Sequence, residues 1–171
     1  VLSLSYGERG ESGELWKEAG QTEERVKEIR HTEAQAAADA LGADFRNLDL
    51  GDYPLVMDAG AIDQLTNLIR GLEPQLIVTH AARDPFNPDH GVAHDATVQA
   101  RQLASGAGVA SAFETIAPPE LLIFEPHQPE LCGFLPTTFL DITSVWSKKV
   151  AAMEAMGSQG YLRQYYAERA E

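Results

Sequence analysis

One cysteine, Cys132, is present among 171 residues. An internal disulfide therefore cannot form, and a cysteine-rich zinc site is excluded. A lone thiol suits a reducing compartment, so a cytoplasmic location is expected. No apolar run approaches the length of about 20 residues that spans a bilayer, so no membrane partner is expected; no secretory leader is visible either, which is uninformative for a chain expected to be cut at its N-terminus. Cations are scarce, with 13 Lys and Arg against 26 Asp and Glu and a formal net charge of -13. Such a surface repels phosphate backbones, which argues against nucleic acid as a partner. The acidic excess itself reads as solvated carboxylates. The glycines match neither a P-loop nor a dinucleotide fingerprint, and no internal repeat or low-complexity segment is visible. The initiating Met is missing too. Val1-Leu2-Ser3-Leu4-Ser5 is strand-like from the first residue, and a chain cut at its N-terminus is expected.

What is present describes a folded α/β chain. The apolar share of 44% is ordinary for a globular protein, and 171 residues suffice for one domain with a core. Residues 1–6 alternate as a strand does, and a polar, glycine-rich loop follows at 7–13. Thr22 can cap a helix running to Leu41, with Val26, Ile29, Ala36, Ala37, Ala40 and Leu41 on its apolar face and Gly42 as its stop. Residues 43–50 read as a short strand and 51–54 as a turn. A second helix spans 61–70, with Ile62, Leu65, Leu68 and Ile69 inward and Gly71 and Pro74 ending it. The strand 75–79 delivers its carboxyl end to His80. A loop covers 84–89, a third helix 91–105, and an irregular stretch 106–119. Strands are expected at 121–124 and 138–142. Ser144 is placed to cap a helix carrying Val145, Trp146, Val150 and Met153, and a last helix starts at Tyr161. Strands alternating with helices predict a parallel sheet covered on both faces.

Ligands of open α/β sheets bind outside the carboxyl ends of the strands. Three polar segments fall there: the loop after Tyr6, residues 80–94 and residues 125–130. In Asn87-Pro88-Asp89-His90 the imidazole can ligate zinc with a carboxylate orienting it, or Asp89 can simply cap the helix above a solvated His90. His94 lies one turn further, but no Glu stands between the two in the HExxH manner, so it reads as a surface or packing residue. His80 is either a site residue or a hydrogen-bonded core histidine, and His31 reads as solvated. Pro126 and Pro129 stiffen the backbone around His127, which suits a general acid or base as well as a surface turn. Arg9 can clamp a substrate carboxylate, and either Glu8 or Glu11 can be a general base once desolvated; the alternative is an Arg–Glu surface pair.

These segments resemble a known superfamily. Ser5-Tyr6-Gly7-Glu8-Arg9-Gly10-Glu11-Ser12 is similar to the segment after the second strand of PIG-L/LmbE proteins, and Asn87-Pro88-Asp89-His90 to their HPDH motif. Phe124-Glu125-Pro126-His127-Gln128-Pro129-Glu130, followed by Phe139-Leu140-Asp141-Ile142-Thr143-Ser144-Val145-Trp146, resembles the 4-oxalomesaconate hydratase branch. The resemblance implies a single Rossmann-like, three-layer parallel-sheet domain over residues 1–171, with its first strand and helix missing and its C-terminal end short. It implies one zinc ion, with His90 as the last of three protein ligands. The other two belong to an HPxD motif that this sequence does not contain, so the chain as given is expected to bind zinc poorly and to be inactive.

Deacetylases of the superfamily use the first His of HPDH as an acid. Asn87 stands there, which agrees with the hydratase branch. That branch implies Glu11 and His127 as an acid–base pair, with the direction of proton transfer open, and Arg9, Ser12 and Asn87 as substrate contacts. The implied reaction adds water to 4-oxalomesaconate, or a similar small di- or tricarboxylate, in the degradation of gallate and related aromatic acids. A homo-oligomer is compatible with the sequence. The rival readings are a zinc-dependent de-N-acetylase of N-acetylglucosamine conjugates and a binding module without catalysis.

Overall fold

Polar side chains decide how far the first strands run. The computed structural model describes residues 1–169, and β1 (Leu2–Ser3) pairs in parallel with β2 (Arg46–Asn47), Leu2 facing Arg46 and Ser3 facing Asn47. The expected strands 1–6 and 43–50 are correct in place but shorter as regular ladder. Ser3 Oγ and the Asn47 side-chain amide both donate to the Ser5 carbonyl, and Asn47 Oδ1 accepts from Asp49 N. Such local bonds offer the backbone an alternative to the ladder.

The chain divides into two compact units, one formed by Val1–Tyr53 with the segment from Thr138 onward, the other by Pro54–Thr137. In the first unit, α1 (Glu23–Leu41) begins where Thr22 accepts from Arg25 N and ends at Gly42, in the left-handed region at φ 71°. Glu23 and Glu24 occupy its first turn, where the helix dipole favours them. The expected apolar face is partly corrected. Val26 and Ala38 are buried, but Ala36 and Leu41 are exposed and Arg30 lies inside. α1 packs against α4 (Trp146–Ala155). No strand forms at 138–142, because the Asp141 carboxylate turns back to accept from Thr143 N, and Phe139 and Leu140 stay exposed. Bonds from Thr143's hydroxyl and amide hold the Asp141 carboxyl below its ordinary range. Ser144 is not the cap of α4 either. A 3₁₀ turn at Thr143–Val145 precedes the helix, and Val145 stands at the cap position without a side-chain bond. α5 (Leu162–Glu168) follows.

The second unit is built on α2 (Ala59–Leu72), which Asp58 caps by accepting from Ala61 N. Ile62, Leu65 and Ile69 meet Ala96, Ala100 and Ala104 of α3 (Pro88–Ala104) in the core. Alanines at helical spacing let the two helices approach closely, and each buried branched side chain contributes about 1.5–3 kcal/mol. Gly71 does not stop α2. Its Cα faces the Phe113 ring, where a Cβ would stand 3.1 Å from Cζ, and Glu73 in the left-handed region ends the helix instead. β3 (Leu76–Thr79) and β4 (Glu120–Ile123) pair in parallel over four residues, Leu76 opposite Glu120 through Thr79 opposite Ile123. Their carboxyl ends therefore emerge side by side. α3 starts three residues earlier than expected, because Asn87 caps it and Pro88 takes the first position, where its missing N–H costs nothing.

Among the described residues no helix is long and apolar enough to cross a membrane.

Candidate functional site

The loop after β1 is held by side chains that bond its backbone. Gly7 adopts φ 67°, a conformation other residues reach only with strain. Ser12 is fully buried and its hydroxyl donates to the Gly7 carbonyl at 2.6 Å, so it clasps the loop shut. Asp52 Oδ2 accepts from Arg9 N at 2.8 Å and Gly10 N at 2.7 Å. Gly10 has no room for a side chain, since a Cβ would fall 2.3 Å from the Tyr53 ring.

The three charged residues of this loop have different surroundings. Arg9 points outward and gives two hydrogen bonds to Glu23 Oε2, from Nε at 3.1 Å and Nη2 at 2.9 Å. Glu23's hydrogen bond raises the Arg9 pKa above its ordinary value, and Arg9's lowers that of Glu23. A substrate carboxylate at Arg9 would exchange with Glu23. Glu8 is fully buried, neither of its oxygens has a hydrogen bond among the described residues, and Lys27 Nζ stands 3.6 Å away. The Glu11 carboxylate accepts from Gln159 Nε2 at 3.1 Å.

The loops after β3 and β4 carry the second unit's candidates. His90 Nδ1 lies 2.8 Å from Asp84 Oδ2, and the Asp84 side chain is only 2% exposed. Burial works against the charged Asp84 carboxylate, but hydrogen bonds from His90 and the amides of Phe86 and Asn87 outweigh it and hold its pKa below the ordinary value. An ionised carboxylate can only accept, so a ring hydrogen sits on Nδ1, and in its neutral form the imidazole carries its lone pair on Nε2. His90 also stacks on His80, with centroids 4.0 Å apart and planes 20° apart. Phe124, the residue after β4, meets His80 edge-on at 4.6 Å, and Phe86 meets His127 edge-on at 5.3 Å. The two loops thus touch through aromatic contacts. His94 Nδ1 bonds the His80 carbonyl at 2.8 Å and serves packing, while His31 is exposed on α1. Asn87 is buried at the cap of α3, its oxygen accepting from Asp89 N, and Asp89 accepts from Leu55 N.

The family sequence model described as GlcNAc-PI de-N-acetylase, PIG-L, matches residues 1–101. The chain belongs to the PIG-L family. A curated 4-oxalmesaconate hydratase of Pseudomonas putida is 43% identical over 166 residues, 97% of this chain and 64% of the hydratase. This PIG-L chain thus spans less than two thirds of that relative's length. A crystal structure of GalB from P. putida, titled the 4-carboxy-2-hydroxymuconate hydratase, superposes with a TM-score of 0.96 at 43% identity, over 99% of this chain and 71% of that one. A deacetylase of Thermomonospora curvata acting, by its name, on 1D-myo-inositol 2-acetamido-2-deoxy-alpha-D-glucopyranoside is 33% identical over 127 residues, 61% of this chain and 43% of its own.

For the metal that the resemblance implies, the PIG-L chain provides one suitable donor. An imidazole whose Nδ1–H is taken by a buried carboxylate presents Nε2 in the manner of an oriented zinc ligand. Among the described residues no group of three or more His, Cys, Asp or Glu is arranged to hold a metal. His90 therefore fits as a single ligand, not as a centre.

Sequence reasoning missed Asp84, Asp52, Arg30, Glu33 and Gln159. Asp84 lies six residues before His90 in a loop, where no periodicity marks a pair. Arg30 and Glu33 are charged residues of a helix whose expected inner face is apolar, and their partners Ser158 and Gln159 are more than a hundred residues away.

Proposed function

We propose that this PIG-L protein is a zinc-dependent hydro-lyase of the cytoplasm that adds water to 4-oxalomesaconate, or a similar unsaturated oxo-carboxylate, in the breakdown of gallate and related aromatic acids. The observation that carries the reading is the 43% identity with a P. putida hydratase across 97% of the chain. Asn87 supports it from the chemistry: its amide has no titratable proton, and its oxygen caps α3. A deacetylase acid at that position is thereby absent. The finer fold reading, a single Rossmann-like three-layer domain, goes with this assignment.

In the mechanism, Glu11 takes a proton from the attacking water as its oxygen bonds to one alkene carbon. The electron pair of the double bond moves toward the conjugated carbonyl, and protonated His127 gives its proton to the other carbon. The water is thus divided between the two carbons and no other reactant is consumed. Arg9 binds a substrate carboxylate in exchange for Glu23. Ser12 and Asn87, buried in the loops on which these groups stand, are the further substrate contacts of this reading. Zinc held through His90 would polarise the conjugated carbonyl, and Asp84 keeps that imidazole in the ligating tautomer.

The test is an assay of the complete gene product, loaded with zinc, on 4-oxalomesaconate. Glu11→Gln and His127→Ala are each expected to slow hydration by about 10²–10⁴-fold with zinc content unchanged. Undiminished turnover in either removes that residue's role. De-N-acetylation is the second reading, favoured by the family description and the T. curvata deacetylase. Acetate release from an N-acetylglucosaminide, without hydration, would establish it instead.

A further inference from the structure

The turn that follows α4 reaches the proposed base. Gly157–Gln159 forms a single 3₁₀ turn, and two of its residues join a buried network rooted in α1. Arg30 is 6% exposed. Its Nε donates to the Tyr6 carbonyl at 3.1 Å, Nη1 to Ser158 Oγ at 2.7 Å and Glu33 Oε2 at 3.1 Å, and Nη2 to Gln159 Oε1 at 3.4 Å. Glu33 accepts in return from Ser158 N at 2.7 Å and Ser158 Oγ at 2.5 Å. The backbone comes so close there that a Cβ on Gly157 would lie 3.3 Å from Glu33 Oε1.

This network orients the Gln159 amide. A guanidinium only donates, so the group facing Arg30 must be the amide oxygen, and the NH₂ must face the other way. That NH₂ is the donor to Glu11 Oε2 at 3.1 Å. A swapped amide would put N–H against guanidinium and oxygen against carboxylate, two repulsions in place of two attractions. Glu11 thus receives a donor whose direction is fixed from behind by a buried cation. A donor aimed at a carboxylate favours its charged form and holds its rotamer, both of which a general base requires.

We infer that Gln159 is a positioning residue of the hydration reaction, aligning the Glu11 carboxylate through an amide that Arg30 orients. The inference rests on the reading of Glu11 as the base. It uses no contact of Gln159 with substrate, so its effect must pass through Glu11.

The test measures kcat and KM of the complete, zinc-loaded gene product. Gln159→Leu removes the donor and is expected to lower kcat by roughly tenfold, the order of one hydrogen bond to a charged group, with KM within about twofold. Gln159→Glu keeps an acceptor for Arg30 and hence the thermal midpoint, but sets a carboxylate against Glu11; kcat is expected to fall at least as far. Combined with Glu11→Gln, neither change should slow the enzyme further. Wild-type kcat in both single variants, alongside an impaired Glu11→Gln, overturns the inference alone. An additional loss on the Glu11→Gln background also overturns it, because Gln159 would then act elsewhere. Full activity in Glu11→Gln removes the base assignment and the inference together.

Discussion

Replacing Arg70 with Met should remove a large share of the protein's stability. Arg70 is 2% exposed near the end of α2, and among the described residues no carboxylate pairs with its guanidinium. It donates instead to five carbonyls: Nε to Ala104 at 3.0 Å, Nη1 to Val109 at 3.1 Å and Phe113 at 3.5 Å, Nη2 to Leu103 at 3.2 Å and Gly106 at 2.8 Å. Leu103 and Ala104 are in the last turn of α3, where carbonyls lack helical partners and the dipole end is negative. A hydrogen bond to a charged group contributes about 1.5–3 kcal/mol. The five cannot be added, since they share one cation whose desolvation opposes them. Five bonds of this kind lost together, less the desolvation of the guanidinium that is regained, put the loss expected for Arg70→Met at about 3–5 kcal/mol. It is a large share of the about 5–15 kcal/mol that holds a typical domain together. Arg70→Lys keeps the charge but only three donors without the planar fork, so roughly half the loss is expected. Urea unfolding should be followed by far-UV circular dichroism, because the protein's two tryptophans, Trp16 and Trp146, both belong to the other unit. A loss under about 1 kcal/mol for Arg70→Met, with the denaturant slope unchanged, would refute the assignment of Arg70 as the closing cap of α3.

Three further outcomes can be checked. Asp84→Asn should weaken zinc binding by the complete gene product about 10–100-fold in chelator competition, and unchanged affinity would separate Asp84 from the metal. Gly10→Ala forces a methyl into the Tyr53 ring and should cost about 1–3 kcal/mol; Tyr53→Ala in the same chain should recover part of it, and an unaffected Gly10→Ala would show that the loop is slack. Lys27 has its pKa raised, first by the hydrogen bond to Asp49 and, against the cost of burial, by the nearby Glu8 and Glu23. Its stabilising contribution is therefore complete below the unfolded lysine pKa of about 10.4 and lost as pH rises through the higher folded value. Alkaline unfolding curves of wild type and Lys27→Met should converge across that window, whereas a constant difference between them would refute the pairing.

Periodicity was legible wherever packing alone decides structure. The Ile62–Leu65–Ile69 stripe and the stop at Gly42 could be read directly, as could the strands leading to His80 and Phe124. Reading failed where side chains bond the backbone locally. Phe139 and Leu140 suggested a strand that the Asp141 turn prevents, and Gly71 suggested a helix end that Phe113 and Glu73 relocate. At the candidate site, the residue types were legible but their supports were not. Arg9 pairs with Glu23 rather than a neighbour in its own loop, and Ser12 faces inward. The orienting role of Asp84 depends on a fold of the chain that no spacing rule encodes.

The partners of the glycine loop and α1 come late in synthesis. Gln159 follows Glu11 by 148 positions, and Ser158 follows Arg30 by 128. A ribosome adding about 5–20 residues per second therefore leaves Arg30 and Glu33 without the 157–159 turn for several seconds or more. During that interval two ionisable groups destined for the interior remain in water, and the first unit cannot close from its N-terminal end alone. Ordering of the proposed base is thus among the last events of folding, and any lesion near the 157–159 turn would be felt at Glu11.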